Sequence, residues 1–596
     1  MNLPNVTSES ESAGSLIILH GQTTGESAIT RALLCQEIAE AVFSHLSLNS
    51  EIFDRPRRDY LRERFDKDEQ RENRRTLASA ARVSKYISEV ALSVLWARLH
   101  GFDHLFELLP QYVSSWDNDD SLGLNGDPTD EEWATLRKYA ALVREIRLPY
   151  LEPSEQKVWT AILDRYGTVS GFLPRLTALA DSHITPAEPL SYPFLLSPTL
   201  RHLSIGLDTQ DPSNAGILLT AALEHIVAVI PSLSSLKIRR GPEPQQISWT
   251  MPSFKSMRSL DITPRLTADA SILAAIGQFE HLRVLSIHIS DDCAHLQGCL
   301  QTLTRLSIGG RAVHIQSFLA ATSPPLLQSL ALFFMHDPST ELLAQCVSAV
   351  STTVPPKLSA LLLESRLTFN PPIASVMDVI QPALALRALT RFAFRFKPLP
   401  SISDADISTM LSAWPALTAL RIENDHPAFP APPPGSRPTA HILPTIATRC
   451  PQLHILQLPE VDLAATPALD ALPPPLGHPL RTLDLGSRCA DRHTCMRAAV
   501  MLDRLFPFIA LPLIRGDVYN ERKETGWAAV LRLLNAMQAG RRNAEAFERA
   551  RGEREGEDGE GDRRDSESED DEAEEDREED VDVDVDVDVD VDMGLE

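Results

Sequence analysis

The stretch LTRLSI, residues 303–308, decides how this chain folds. Leu306 and Ile308 alternate with Ser307, the period of a strand with one buried and one open face, and Leu303 leads into them. The same pattern, L-x-x-L-x-L with Ile, Met or Phe allowed, returns as LRHLSI at Leu200, LSSLKI at Leu233, MRSLDI at Met257, LRVLSI at Leu282 and LQSLAL at Leu327. It continues as LSALLL at Leu358, LTRFAF at Leu389, LTALRI at Leu417, LHILQL at Leu453 and LRTLDL at Leu480, and weaker copies, VREIRL at Val143 and LPRLTAL at Leu173, precede the series. Successive strong copies start 21 to 36 residues apart. Such a period marks units that cannot bury their own apolar face and must stack on their neighbours.

What precedes each copy supports this independently. Pro174, Pro198, Pro231, Pro325, Pro356, Pro415 and Pro451 each stand two residues before the first apolar position of a copy, often after a helix-like run such as ILLTAALEHIVAVI or ISTMLSAW. Proline cannot extend a helix and biases its predecessor toward extended backbone. Each unit therefore reads helix, proline stop, strand, which predicts an α/β chain. These units resemble leucine-rich repeats, and the resemblance implies an irregular, curved solenoid with a parallel sheet on one side and helices outside. The asparagine ladder of that family is missing: its position holds residues as unlike as Asp208, Met335 and Val461.

Alternation along the strands turns Lys237, Arg239, Arg305, Arg391, Arg395 and Arg421 toward the open face, against Asp261, Glu364, Glu423 and Asp484. The mild basic bias makes those six residues candidates for holding a protein substrate, through an acidic or phosphorylated segment.

Two amphipathic helices are predicted near the N-terminus. In LLCQEIAEAVFSHL, residues 33–46, Leu34, Ile38, Val42 and Leu46 recur every fourth position; in ARVSKYISEVALSVLWARL, residues 81–99, Val83, Ile87, Val90 and Val94 do the same. Between them, residues 54–75 hold 9 basic and 7 acidic side chains, a balanced run that reads as a solvated insertion. Residues 30 to 110 resemble the F-box-like domain found at the front of many fungal proteins. The matching residues are Leu34, Cys35, Gln36, Glu37 and Ile38, then Val42, Phe43 and Leu46, then Leu77, Ala81, Arg82 and Val83, and finally Ala91, Leu92, Leu95 and Trp96. Cys35 stands where the family has proline. The resemblance implies a three-helix module that docks on a Skp-type adaptor, and through it a cullin, using Leu34, Cys35, Ile38, Val42, Phe43, Leu46, Val83, Leu95 and Trp96.

Composition bounds the rest. The chain has 596 residues and a net charge of −26, but residues 551–592 carry 24 acidic residues and 5 arginines, a net −19 that leaves only −7 for everything else. No global field therefore draws in nucleic acid or an anionic membrane. The scattered cysteines, 7 in all, fit reduced thiols of a cytoplasmic or nuclear protein, and no secretory signal or membrane-spanning run is read. The expected organisation is a disordered N-terminus (1–28), the F-box-like module (29–110), a linker (111–138), the repeat solenoid (139–515), a helical cap (516–548) and a disordered acidic tail (549–596). A proline-rich surface excursion falls at 426–438. In the tail, Ser566 and Ser568 each precede an acidic residue by three positions and read as acceptors for an acidophilic kinase.

Chemistry is thinly signalled. GQTTGES, residues 21–27, has Glu26 where a phosphate loop needs lysine. Cys293, His295 and Cys299, like Cys489, His493 and Cys495, lack the paired spacing of a zinc site. No cofactor, metal or catalytic residue is expected. The expected function is that of a non-catalytic substrate receptor of a cullin-RING ubiquitin ligase, the alternative being a repeat scaffold whose acidic tail binds basic proteins such as histones.

Overall fold

The structure, a computed structural model, describes residues 36–46, 71–113, 123–147, 153–167, 169–184, 195–207, 212–240, 250–262, 266–290, 293–335, 339–365, 373–397, 399–423, 437–459, 461–464, 466–474, 477–485, 491–509 and 526–557. Among these residues the strands are β1 Arg98–Leu99, β2 Tyr112–Val113, β3 Gly123–Leu124, β4 Glu145–Arg147, β5 Ala178–Ile184, β6 His202–Leu207, β7 Ser235–Arg240, β8 Ser259–Ile262 and β9 Thr267–Ala268. They continue with β10 Val284–Ile289, β11 Arg305–Gly310, β12 Ser329–Phe334, β13 Ala360–Ser365, β14 Arg391–Phe396, β15 Ala419–Glu423, β16 Ile455–Leu458 and β17 Thr482–Leu485. All but β2 and β3 form one 15-stranded sheet that adds strands in chain order, with β9 branching beside β10. Every pairing in that sheet is parallel.

Each of the eleven strong sequence copies supplies one strand, beginning at its third residue. The register keeps like positions side by side: Leu285, Leu306, Leu330, Leu361, Phe392 and Leu420 form one row, and Ile287, Ile308, Leu332, Leu363, Phe394 and Ile422 the next. Both rows are buried, while the residues between them are partly exposed. One face is thus covered and the other open, as expected when parallel strands are joined in sequence by crossovers of one hand. Burying each such side chain is worth about 1.5–3 kcal/mol. The aromatic strand RFAFRF adds Phe392, tilted 4.7 Å from Trp414, and Phe394, stacked 4.1 Å from Phe396.

The prolines act as the sequence predicts. Leu200 N–H donates to Ser197 O at 3.0 Å, placing Pro198 second in a four-residue turn, and Leu358 to Pro355 and Leu453 to Cys450 close the same turn around Pro356 and Pro451. Proline at that position presets φ. Five strong copies, the last among them, have no such proline; His478 stands there in the last copy. It is buried, accepts from Leu480 N–H at Nδ1 (3.2 Å) and donates from Nε2 to Cys450 O (2.9 Å); burial holds its pKa below the ordinary histidine range.

A second bonding pattern clamps the units together. The carbonyl of each copy's second residue accepts two N–H donors from the next unit: Arg283 O from Thr304 and Arg305, Gln328 O from Ser359 and Ala360, Ser359 O from Thr390 and Arg391. The series runs from Ala97 O to His454 O. Where the second residue is Ser or Thr, its hydroxyl also donates to the previous unit's carbonyl: Thr177, Ser234, Thr304, Ser359, Thr390 and Thr418 do so at 2.9–3.1 Å. This hydroxyl ladder answers how the unit junctions are satisfied without asparagines.

Helix starts follow ordinary capping rules. Ser403 and Asp406 form a capping box on Asp404–Ala413, and Ser339 and Asp269 cap Thr340–Thr353 and Ala270–Gly277.

Several expected boundaries move. The sheet begins at β1, inside the stretch read as the helical module, and Phe102, Leu105 and Phe106 beyond it are fully buried around Trp159. The stretch 111–138, expected to be a linker, contains the antiparallel ribbon of β2 and β3 and most of the helix Asp130–Ala140, whose Trp133 and Leu136 are buried. The expected cap at 516–548 is a helix, Gly526–Glu557, that runs past its expected end into the stretch read as disordered. The chain divides into two units at Leu534; Ala528, Val530 and Leu534 are buried in the first, and in the second the helix is exposed from Arg542 to Arg549. Residues 1–28, Ser566, Ser568 and nearly all of 426–438 lie outside the described residues.

Replacing three consecutive ladder hydroxyls, Ser359→Ala, Thr390→Val and Thr418→Val, is expected to destabilise the protein by about 2–4 kcal/mol in total, from about 1 kcal/mol per bond. Urea unfolding of the triple variant checks this, and parent-like stability would reduce the ladder to an ornament of the sheet.

Candidate partner-binding surfaces

Three helices, Gln36–His45, residues 71–80 and Lys85–Leu95, enclose a small core of Ala39, Phe43, Leu77, Val90 and Ala91, against which Leu46, Ile87, Val94 and Leu95 pack. Ser84 caps the last of them by accepting from Ile87 N–H. The nine residues read as adaptor contacts therefore separate by role. Phe43, Leu46 and Leu95 hold the module together. Ile38, Val42 and Val83 remain 44%, 46% and 71% exposed, and Ile38 and Val42, four residues apart, share one helix face. Leu34 and Cys35 lie outside the described residues. Of the charged stretch 54–75, residues 71–75 are helical and largely exposed, and the remainder lies outside the described residues.

Trp96 has a different task. Its ring lies 4.8 Å from that of Tyr139, on the helix that leads into β4. Next to it, Arg98 of β1 reaches Glu145 of β4 at 3.1 Å, and Ala97 O accepts from Arg144 and Glu145. Burial pushes the Glu145 carboxyl upward and the Arg98 guanidinium downward, and their mutual pairing opposes both shifts. Trp96 is thus the joint between the helical module and the sheet's first edge, a role that periodicity alone does not reveal.

The open face of the sheet is the second surface. Its middle row holds mostly small residues, Ser286, Ser307, Ala331, Leu362 and Ala393, between Asp261 and Arg421. The row beyond it carries His288, Gly309, Phe333, Glu364, Arg395 and Glu423. The His288 ring occupies the space beside Gly309, where an added Cβ would come 2.0 Å from Nε2, and its ring centre is 6.4 Å from that of Phe333. Side-chain size at Gly309 is therefore set by its neighbour on β10.

The six cations read as substrate contacts are not equivalent. Lys237 pairs with Asp261 at 2.8 Å, both largely covered. Arg395 lies between two carboxylates, with Nε 2.8 Å from Glu423 and Nη1 3.9 Å from Glu364. Arg239 and Arg421 are half-buried and already engaged. Arg305 and Arg391, on the first row of the face, are exposed. Farther along, burial raises the Asp484 carboxyl above its ordinary range.

Among the described residues no group of three or more His, Cys, Asp or Glu is arranged to hold a metal ion, and no helix is long and apolar enough to cross a membrane. Cys293 and Cys495 are buried while His295 and His493 are exposed, so neither cysteine–histidine group converges; Cys489 lies outside the described residues. Burial lifts the Cys346 and Cys450 thiols to about 12 and about 11, which keeps both protonated and unreactive at neutral pH. Comparison with protein-family models and with curated protein sequences found no match to this chain.

Asp484→Asn is expected to raise the melting temperature at neutral pH. A carboxyl whose folded pKa is raised loses stability as pH rises from its unfolded pKa through the folded one, so the gain should vanish below about pH 4. Thermal scans of both proteins across pH 3–7.5 check the sign. Gly309→Ala is expected to cost about 1–3 kcal/mol through overpacking, and His288→Ala in the same chain should recover most of it; a loss unchanged in the double variant would refute the close approach as its cause.

Proposed function

We propose that this chain is the substrate receptor of a cullin-RING ubiquitin ligase, an F-box-like helical module joined to a leucine-rich-repeat solenoid. The observation that carries the reading is the exposed apolar face of Ile38 and Val42 on a three-helix module seated on the sheet through Trp96 and Tyr139. Large apolar side chains left uncovered on one helix face suit burial against a partner helix. The quoted family resemblance names that partner as a Skp-type adaptor. The solenoid reading is supported by strands added in chain order, one per sequence copy.

On this reading the protein works by tethering. The helical module binds the adaptor, the open sheet face binds the substrate protein, and the joint between them fixes the substrate's lysines near the ligase's other subunits, raising their effective concentration. The ubiquitin-transfer chemistry belongs to those subunits.

The full chain is expected to co-purify with a recombinant Skp-type adaptor. The double variant Ile38→Asp and Val42→Asp, confirmed as folded by circular dichroism, should bind at least about tenfold more weakly, since charges replace the apolar anchors. A folded parent that fails to bind the adaptor would overturn the reading and leave the helices as a cap on the sheet's first edge.

A further inference from the structure

Lys237 and Arg395 of the open face are paired with its carboxylates, but the cations on the edge where its strands begin are not. From β8 through β10, β11, β12 and β13 to β14, each unit passes through a turn and two residues before its strand settles into the ladder. On these six rungs, residues 255–259, 280–284, 301–305, 325–329, 356–360 and 387–391, the sequence places seven Lys or Arg and a single acidic residue, Glu280. Arg258, Arg283 and Arg305 stand on three adjacent rungs, and Lys357, Arg387 and Arg391 on two further adjacent ones. All six are exposed, and among the described residues none of their side chains has an ion-pair or hydrogen-bond partner. This segregation runs against the rest of the chain, whose net charge outside residues 551–592 is −7.

Two ordinary explanations do not account for it. Cations near helix ends can offset the negative C-terminal dipole, but that requires residues in the last turn. The helices Ala270–Gly277, Ala312–Thr322 and Thr340–Thr353 have no basic residue there, and four of the six cations lie beyond the following turn. Internal pairing is the other explanation, and the carboxylates of the open face are used elsewhere: Asp261 with Lys237, and Glu364 and Glu423 with Arg395.

We infer that this edge is a docking site for an extended, acidic polypeptide segment lying across the strands. Its length follows from geometry. Five inter-strand steps of about 4.8 Å make a stripe about 24 Å long, which an extended segment of about seven residues spans. Its composition follows from the middle rung, where Pro325, Leu326 and Leu327 carry no charge and Leu326 is 55% exposed. The fitting segment has acidic residues toward both ends and an apolar side chain between them. Ser259 and Ser329 stand along the same rungs as hydroxyl groups suited to carboxylate oxygens. A nucleic-acid strand fits less well, because the six rungs contain no Phe, Tyr or Trp on which bases could stack. The inference stands whether or not the helical module binds an adaptor.

The test is fluorescence anisotropy of the full chain with three labelled probes at low and physiological salt: a nine-residue peptide of Asp and Glu with a central Leu, the same peptide with Lys for every acid, and an oligo-dT of equal length. Two charge-reversal variants accompany the parent. One carries Arg283→Glu, Arg305→Glu and Arg387→Glu on the edge; the other, a control of equal charge change, carries Arg75→Glu, Arg82→Glu and Lys85→Glu on exposed positions of the helical module. The acidic peptide is expected to bind the parent and the control alike, and the edge variant at least about tenfold more weakly, with affinity falling as salt rises. Replacing the central Leu of the peptide by Ser should weaken binding severalfold. Equal losses in the two variants, equal binding of the basic peptide, or no binding of the acidic peptide at low salt would each overturn the proposal. Tighter, edge-dependent binding of oligo-dT would reassign the stripe to nucleic acid.

Discussion

One backbone carbonyl per unit governs this structure. Arg283 O, Gln328 O, Ser359 O and their equivalents each receive two amide hydrogens from the following unit, and in many units a hydroxyl as well. An amide left without a partner in a covered position costs about as much as a lost hydrogen bond, so a unit that slipped by one residue would forfeit both bonds and turn its leucines to the open side. Register, burial and the direction in which side chains face are thus fixed at the same point. The turns with Pro198, Pro356 and Pro451 deliver the chain to that point in the same conformation each time.

Much of this was legible because two signals agree. Alternating leucines state which face is buried, and prolines state where a helix stops; both are local, the first signal survives in all eleven strong copies and the second in six of them. The hydroxyl ladder was legible in principle, since Ser or Thr recurs at the second residue of LSSLKI, LTRLSI, LSALLL, LTRFAF and LTALRI. It escapes a reading that asks only which positions are apolar. The linker assignment failed for a related reason. EEWATLRKYA is charged at four of its ten positions, and only Trp133, Leu136 and Ala140 are buried, so its amphipathic stripe is narrow and its strongest mark is the capping box of Thr129 and Glu132.

The candidate surfaces were legible only in part, because a sequence names side chains and not their neighbours. Periodicity places Phe43 and Val42 next to each other, but only the fold shows that one is core and the other exposed. Likewise, alternation turns Arg395 and Arg305 to the same face. Neutralisation of the first by Glu364 and Glu423 depends on strands 28 to 31 residues away in sequence, a pairing that register alone creates. Trp96 illustrates the same limit: its partner Tyr139 belongs to a helix separated from it by the whole first edge of the sheet.

Because each unit is clamped where its strand begins, the repeat length is free to vary elsewhere. Successive copies differ by as much as 15 residues in spacing, from 21 to 36, while their strands start at the same residue of the pattern. Extra chain can therefore enter after a strand's end without moving the next clamp, whereas one residue added between a turn and its strand would disturb both. Over generations, such a molecule can acquire and discard loops along one margin while the opposite margin stays fixed, so novelty in partner choice and constancy of scaffold are assigned to different edges of the same sheet.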